Sequence, residues 1–341
     1  MVDSYTLTFD LRPLRELNED VLNQILKMLP EIAALKSLSL TCRRLREMVL
    51  PLLFGHFHYP AFSPDSWTPS EPDNFLPIAI RQYVRSFIVS DFCLDFPDEH
   101  NPYMPLTWTD NALLCGIFPG ASFAARLRQL PNLHTLTMSK HNYTRHGLPW
   151  DTVRAILSVQ HLRELTIDSF CLCPILRPGD NLTLDLVGPL TSFHLRRNHY
   201  QQPGSYPSEM AALTTVLGKL CNTLETLVLM SEPVSLPDIA RLRWPHLRKL
   251  VFYGTPFTPA MPITSFCAGM PSLRCLSMKL NPAQHAVPQP LWPPGLTGPP
   301  LPHLERLVIS YPVAQDDVYD HLPPTLRSLS LRCWPHVDEQ L

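Results

Sequence analysis

Nine times between residues 84 and 331 the chain writes one six-residue phrase, L-x-x-L-x-L with apolar variants. The copies are VRSFIV at 84, LHTLTM at 133, LRELTI at 162, LTSFHL at 190, LETLVL at 224, LRKLVF at 247, LRCLSM at 273, LERLVI at 304 and LRSLSL at 326. The closing x-L-x-L of each copy has the period of two that marks a strand with one buried face. Successive copies start 49, 29, 28, 34, 23, 26, 31 and 22 residues apart. Each interval leaves room for the returning segment that parallel strands require.

Most of these intervals fall in or near the range of leucine-rich repeats, in which each repeat supplies one strand and a helix or turn leads back. The long first interval has space for a degenerate copy. Amphipathic stretches between copies predict the returning helices: Ser208 caps one carrying Met210, Leu213, Val216, Leu217 and Leu220, and Asp151 caps one carrying Val153, Ile156 and Leu157. Many copies follow LPNL, WPHL, MPSL or LPHL, where proline holds the approach to the strand extended. Each inward apolar residue contributes roughly 1.5–3 kcal/mol when fully buried, and no repeat can close its core without its neighbour. The expected fold class is α/β, an irregular leucine-rich-repeat solenoid with a parallel sheet over residues 81–341.

Proline reinforces this reading. The 38 prolines against 12 glycines disfavour long helices and central antiparallel strands and favour short elements joined by rigid bends. Eight of them crowd residues 281–303, which read as a proline-rich insertion on the array. The chain closes on WPHVDEQL without a polar capping helix, so the array is either incomplete or capped by this tail.

Composition removes several functions. With 28 Lys+Arg against 30 Asp+Glu, a net charge of −2, the chain lacks the electrostatic footprint of a nucleic-acid-binding protein. The uncharged stretches 111–125 and 255–273 are broken by Pro and Gly, short of the ~20 apolar residues that a membrane span needs. Asp3 and Asp10 occupy the region where a secretory leader would be apolar. Nine scattered cysteines suit a reducing interior, cytoplasmic and/or nuclear, as small buried thiols.

No catalytic motif stands out. GASFA at 120–124 approaches a nucleophile elbow but follows Pro119 rather than a strand, and Ser122 reads as a helix cap before Phe123 and Leu127. The pair Cys171 and Cys173 has no second pair at ligand spacing, and His141 and His146, five apart, read as solvated side chains, with a loop metal site as the alternative. No enzyme activity, metal or cofactor is expected.

On the strands, the x positions project from the opposite face. Val228 with Met230 and Val251 with Tyr253 fall on what should be neighbouring strands and form an outward apolar patch bordered by Arg196, Lys249 and Lys279. Unless a loop or the C-terminal tail covers it, such a patch marks an interaction site.

The first 59 residues read differently, as a helical head. Asn18 caps a first helix with Glu19 and Asp20 at its start; Pro30 stops it; a second pattern runs through Leu35 and Leu38; a third carries Leu45, Met48, Val49 and Leu52, with Pro51 ending or bending it. Arg43, Arg44 and Arg46 form its solvated side. Three short helices make a small core, so the head is expected to lean on a partner, on the following domain, or on both. Residues 60–80 read as a Pro-rich connector.

LNEDVLNQILKMLP…LKSLSLTCRRLREMVLPLLF resembles the F-box. The matching residues are Leu17, Val21, Leu22, Ile25, Leu26, Leu29, Leu35, Leu38, Cys42, Arg43 and Leu45. Asn18 stands where the family usually has proline, and Leu45 where tryptophan is common. An F-box followed by leucine-rich repeats is similar to fungal F-box proteins. The resemblance implies a three-helix F-box that docks a Skp-type adaptor, and through it a cullin, by Leu17, Val21, Leu22, Ile25, Leu26, Leu29, Leu35, Leu38, Cys42 and Leu45. It further implies a non-catalytic receptor subunit of an SCF-type ubiquitin ligase whose repeats hold a protein substrate; the outward patch of Arg196, Val228, Met230, Lys249, Val251, Tyr253 and Lys279 is the candidate surface for it. A scaffold of the same fold that never joins a ligase is the alternative.

Overall fold

The structure, a computed structural model, describes residues 17–29, 31–68, 75–93, 111–140, 146–196, 206–255, 257, 262–280, 301–310, 318 and 320–332. Helix α1 (Glu19–Met28) begins as expected, with the Asn18 side chain accepting the Asp20 amide at 2.9 Å and acidic residues in the first turn. Helices α2 (Ile32–Ser39) and α3 (Arg43–Phe54) follow. Pro51 does not end α3, because it removes a single donor within the last turn. Leu22, Leu26, Leu35, Leu45 and Val49 form a core of the head's own, with Leu17, Leu29, Leu38, Cys42 and Leu52 packed around it. Arg44 belongs to this packing: its Nη2 donates to the Leu17 carbonyl at 2.8 Å.

The sheet starts earlier than the sequence reading places it. Only Gly55 separates α3 from strand β1 (His56–Ala61), whose Phe57, Tyr59 and Ala61 alternate inward. The described parts of the stretch read as a connector, residues 60–68 and 75–80, are likewise packed into the body. A 3-10 turn at Pro64–Trp67 buries Trp67 completely, and Phe75 and Leu76 are buried before the short helix α4 (Ile78–Arg81).

The remaining elements are strand β2 (Ser86–Asp91), helix α5 (Gly120–Arg128), strands β3 (Thr135–Lys140) and β4 (Gly147–Leu148), and helix α6 (Trp150–Leu157). They continue with strands β5 (Glu164–Asp168), β6 (Cys171–Leu172) and β7 (Ser192–Arg196), helix α7 (Pro207–Leu220), strand β8 (Thr226–Met230) and helix α8 (Leu236–Ala240). Strand β9 (Lys249–Gly254), helix α9 (Ile263–Cys267) and strands β10 (Cys275–Leu280), β11 (Arg306–Ser310) and β12 (Ser328–Arg332) complete the set. Ten strands form one parallel sheet in chain order, β1-β2-β3-β5-β7-β8-β9-β10-β11-β12, and β4 pairs with β6 apart from it. All nine L-x-x-L-x-L copies lie on this sheet. No degenerate copy occupies the long first interval of the sheet, since β2 pairs directly with β3.

The apolar positions point to one side as the period demands. From Phe87 and Val89 on β2 to Leu307 and Ile309 on β11 they are buried in a continuous core. Strand β12 is the last strand of the described sheet, and there the equivalent Leu329 and Leu331 are exposed.

One hydrogen-bond device recurs across the whole array. The carbonyl just ahead of a strand accepts two successive amides leading into the next: Gly55 from Arg85 and Ser86, Arg85 from His134 and Thr135, His134 from Arg163 and Glu164. It continues through Arg163, Thr191, Glu225, Arg248 and Arg274 to Glu305, which accepts from Arg327 and Ser328, all between 2.7 and 3.1 Å. The head thus supplies the first rung.

Two predicted caps are displaced by two residues. Helix α7 begins at Pro207 and α6 at Trp150, so Ser208 and Asp151 sit within the first turn. Ser208 donates to the Pro174 carbonyl and Ser122 to the Pro119 carbonyl, each fastening a helix start rather than capping it. The insertion 281–303, apart from residues 301–303, and the tail after Arg332 lie outside the described residues.

Candidate functional site

The head divides its apolar residues into two faces. Leu22, Leu26, Leu35 and Leu45, read from the sequence as adaptor contacts, are buried in the head's own core and present no surface. Leu17, Leu29, Leu38 and Cys42 are partly buried against that core. Val21, Ile25 and Met28 remain outside. They are spaced i, i+4, i+7 and so share one stripe of α1, with Ile25 38% and Met28 82% exposed. Ile32 and Leu40, at the start and just past the end of α2, are exposed as well. The sequence reading passed over Met28, Ile32 and Leu40, although Met28 continues the helical spacing of Val21 and Ile25. Of the arginines, Arg43 pairs with Glu47 on the solvent side at 2.8 Å.

On the sheet, registers place Val228 beside Val251 and Val251 beside Ser277. This row is not an exposed patch: Val228 is 2%, Val251 1% and Ser277 4% exposed. Alternation puts the two valines on the expected face, yet they are covered there. The next row, Met230, Tyr253 and Lys279, is in register and partly accessible, with Lys279 Nζ 5.4 Å from the Tyr253 ring centroid.

Next to that row stands a group the sequence did not single out. His194 on β7 takes Ser192 Oγ at 3.1 Å on Nε2 and lies 3.5 Å from Arg196 Nη2 on Nδ1. Burial first, then the positive charges of Arg196 and Lys249, pull its pKa down to about 4. A neutral imidazole between two cations is the result. Elsewhere burial pushes Cys173 and Cys267 up to about 12, which leaves them as inert thiols. His146 is 1% exposed rather than solvated, and His141 lies outside the described residues. Among the described residues, no helix is long and apolar enough to cross a membrane.

A three-helix head with its own small core, feeding through one residue into a parallel sheet, defines a mixed α/β protein of two parts. Residues 14–56, which span all three helices and the first residue of β1, match the F-box domain, so the chain carries an F-box at its head. No curated protein matches it significantly. F-box domains generally bind Skp-type adaptors, and the domain here points to that role for the head.

Proposed function

We propose that this chain is the substrate-recognition subunit of a Skp-cullin-F-box ubiquitin ligase. Its head docks the adaptor, and its strands form a leucine-rich-repeat solenoid that carries a protein substrate. The observation that carries the reading is the pairing of a matched F-box with an unpartnered stripe, Val21, Ile25 and Met28, on a head that already has its own core. Apolar side chains kept outside a finished core favour a partner surface over internal packing. Catalysis belongs to other subunits in this reading; the chain acts by holding its cargo near a ubiquitin-loaded enzyme. The compartment is a reducing one, cytoplasmic and/or nuclear, in keeping with eight cysteines that form no disulfide among the described residues.

Substrate capture is assigned to the open row of the sheet, with Met230, Tyr253 and Lys279 at its centre and Arg196 and Lys249 beside it. Val228 and Val251 form the covered row alongside it on the same face. The second reading, a scaffold outside any ligase, predicts a folded chain that ignores the adaptor. Co-expression with a Skp-type adaptor followed by size-exclusion chromatography separates the two: a stoichiometric complex lost in Ile25→Asp supports the ligase receptor. No complex from folded wild type rules it out.

A further inference from the structure

At the end of β2, three segments bring their side chains together in the interior. The ligand atoms of Cys93, Cys115 and His146 all lie within 4.8 Å of one another, and all three residues are buried. Asp91, also buried, joins them: its Oδ2 lies 3.6 Å from Cys115 Sγ and 3.8 Å from His146 Nδ1. The histidine is oriented with one nitrogen already used, since Nε2 is 2.5 Å from the Leu114 carbonyl, which can only accept. The proton of the neutral ring therefore sits on Nε2, and Nδ1 carries a lone pair. That buried Nδ1 has no hydrogen-bond partner and faces the two thiols and the carboxylate.

We propose that Cys93, Cys115, His146 and Asp91 form a structural site for one divalent cation of the zinc type. Two sulfurs, an imidazole nitrogen and a carboxylate oxygen are the donor set that selects zinc with tetrahedral geometry. Zinc bonds of ~2.0–2.3 Å give tetrahedral edges of about 3.3–3.8 Å; the 3.6 Å from Asp91 Oδ2 to Cys115 Sγ falls there, and the 3.8 Å to His146 Nδ1 is a few tenths of an ångström beyond an oxygen–nitrogen edge, which the cation would draw in. The surroundings are those of an oriented site: Leu114 holds the imidazole, and the Cys93 amide donates to Asp91 Oδ1 at 2.7 Å. Backbone bonds fix the loops that bear the ligands, Cys115 N to Gly147 O at 2.7 Å and Gly147 N to Leu113 O at 2.9 Å.

Binding converts both thiols to thiolates and releases two protons, with no redox change. Two thiolates and a carboxylate around a dication leave one negative charge, and Lys140, the register partner of Asp91 on β3, brings a positive one to the same pole. With every ligand buried there is no open coordination position, so the cation fastens three chain segments and performs no chemistry.

The test uses the full chain, purified under reducing conditions, with zinc measured by elemental analysis and cobalt(II) as a spectroscopic probe. One zinc per chain is expected, together with the thiolate-to-cobalt charge-transfer band and the intense visible bands of a tetrahedral site. Cys115→Ser and His146→Gln should each weaken cobalt binding on the order of 100-fold, while Cys267→Ser, a buried thiol outside the cluster, keeps it. If the ligand variants fail to fold, wild type decides alone: chelation must strip the metal, lower the melting temperature and be reversed by added zinc. Folded wild type without stoichiometric metal or a tetrahedral cobalt spectrum overturns the site. So does a disulfide between Cys93 and Cys115 in the reduced preparation.

Discussion

Arg126, buried in helix α5, reaches the carbonyl of Trp67 with its Nε at 3.0 Å and that of Thr68 with Nη2 at the same distance. Its guanidinium lies 5.3 Å from the Phe75 ring centroid, and Trp67 packs edge-on against Phe123 of the same helix at 4.6 Å. A single side chain thus fastens the segment after β1 to a helix some sixty residues later in the sequence. Arg126→Met keeps much of the volume and removes both charge-assisted bonds, leaving two carbonyls short of a donor. Destabilisation of about 2–3 kcal/mol is expected, read by urea denaturation, and a shift below about 0.5 kcal/mol would show that water replaces the guanidinium.

The two faces of α1 make opposite predictions. Ile25→Asp places a charge on the exposed stripe, so adaptor recovery should fall more than tenfold while the melting temperature stays near wild type. Leu26→Ala opens the head's own core and should destabilise it by about 2–4 kcal/mol, seen as faster amide exchange in residues 19–54 with the sheet unaffected. Equal losses of folding in both variants would refute the division into an inner and an outer stripe.

Tyr253→Ala removes the ring beneath Lys279 without touching the inward Leu250 and Phe252. Recovery of co-purifying substrate should drop severalfold with adaptor binding intact. Undiminished recovery would move the capture surface away from the Met230, Tyr253 and Lys279 row.

His194 gives the fold a response to acid. Its folded pKa, about 4, lies below the ordinary 6.5, so the unfolded chain binds the proton more readily. The associated stability is present above pH 6.5 and is lost as the pH falls towards 4. The full shift corresponds to about 3 kcal/mol, and partial solvent access reduces this to about 2. Urea midpoints measured from pH 7 to 4.5 should fall less in His194→Asn than in wild type; parallel curves would assign the acid response to other groups.

The strands were legible because each copy carries its own period and each must face the same core. The first strand escaped notice because His56–Ala61 follows an apolar helix after a single glycine and straddles the boundary set at residue 59 between the head and the connector. Alternation placed Val228 and Val251 on the correct face, but the period of a strand is silent on what lies over that face. In the head, helical spacing marked Leu22 and Leu26 as apolar without saying whether they turn towards α3 or outward. The cluster of Cys93, Cys115 and His146 had no local signature at all, being separated by 22 and 31 residues and assembled by the stacking of strands.

The rung at Gly55 has a geometrical consequence. Because Gly55, at the end of the head's last helix, accepts from Arg85 and Ser86, no slack separates the head from the sheet. Neighbouring strands lie about 4.8 Å apart, so Tyr253, six strands along from β1, stands roughly 29 Å from the junction measured across the sheet. Under the proposed ligase function the array would work as a gauge: where along the row a cargo sits would set, in increments of one strand, which of its lysines come within range.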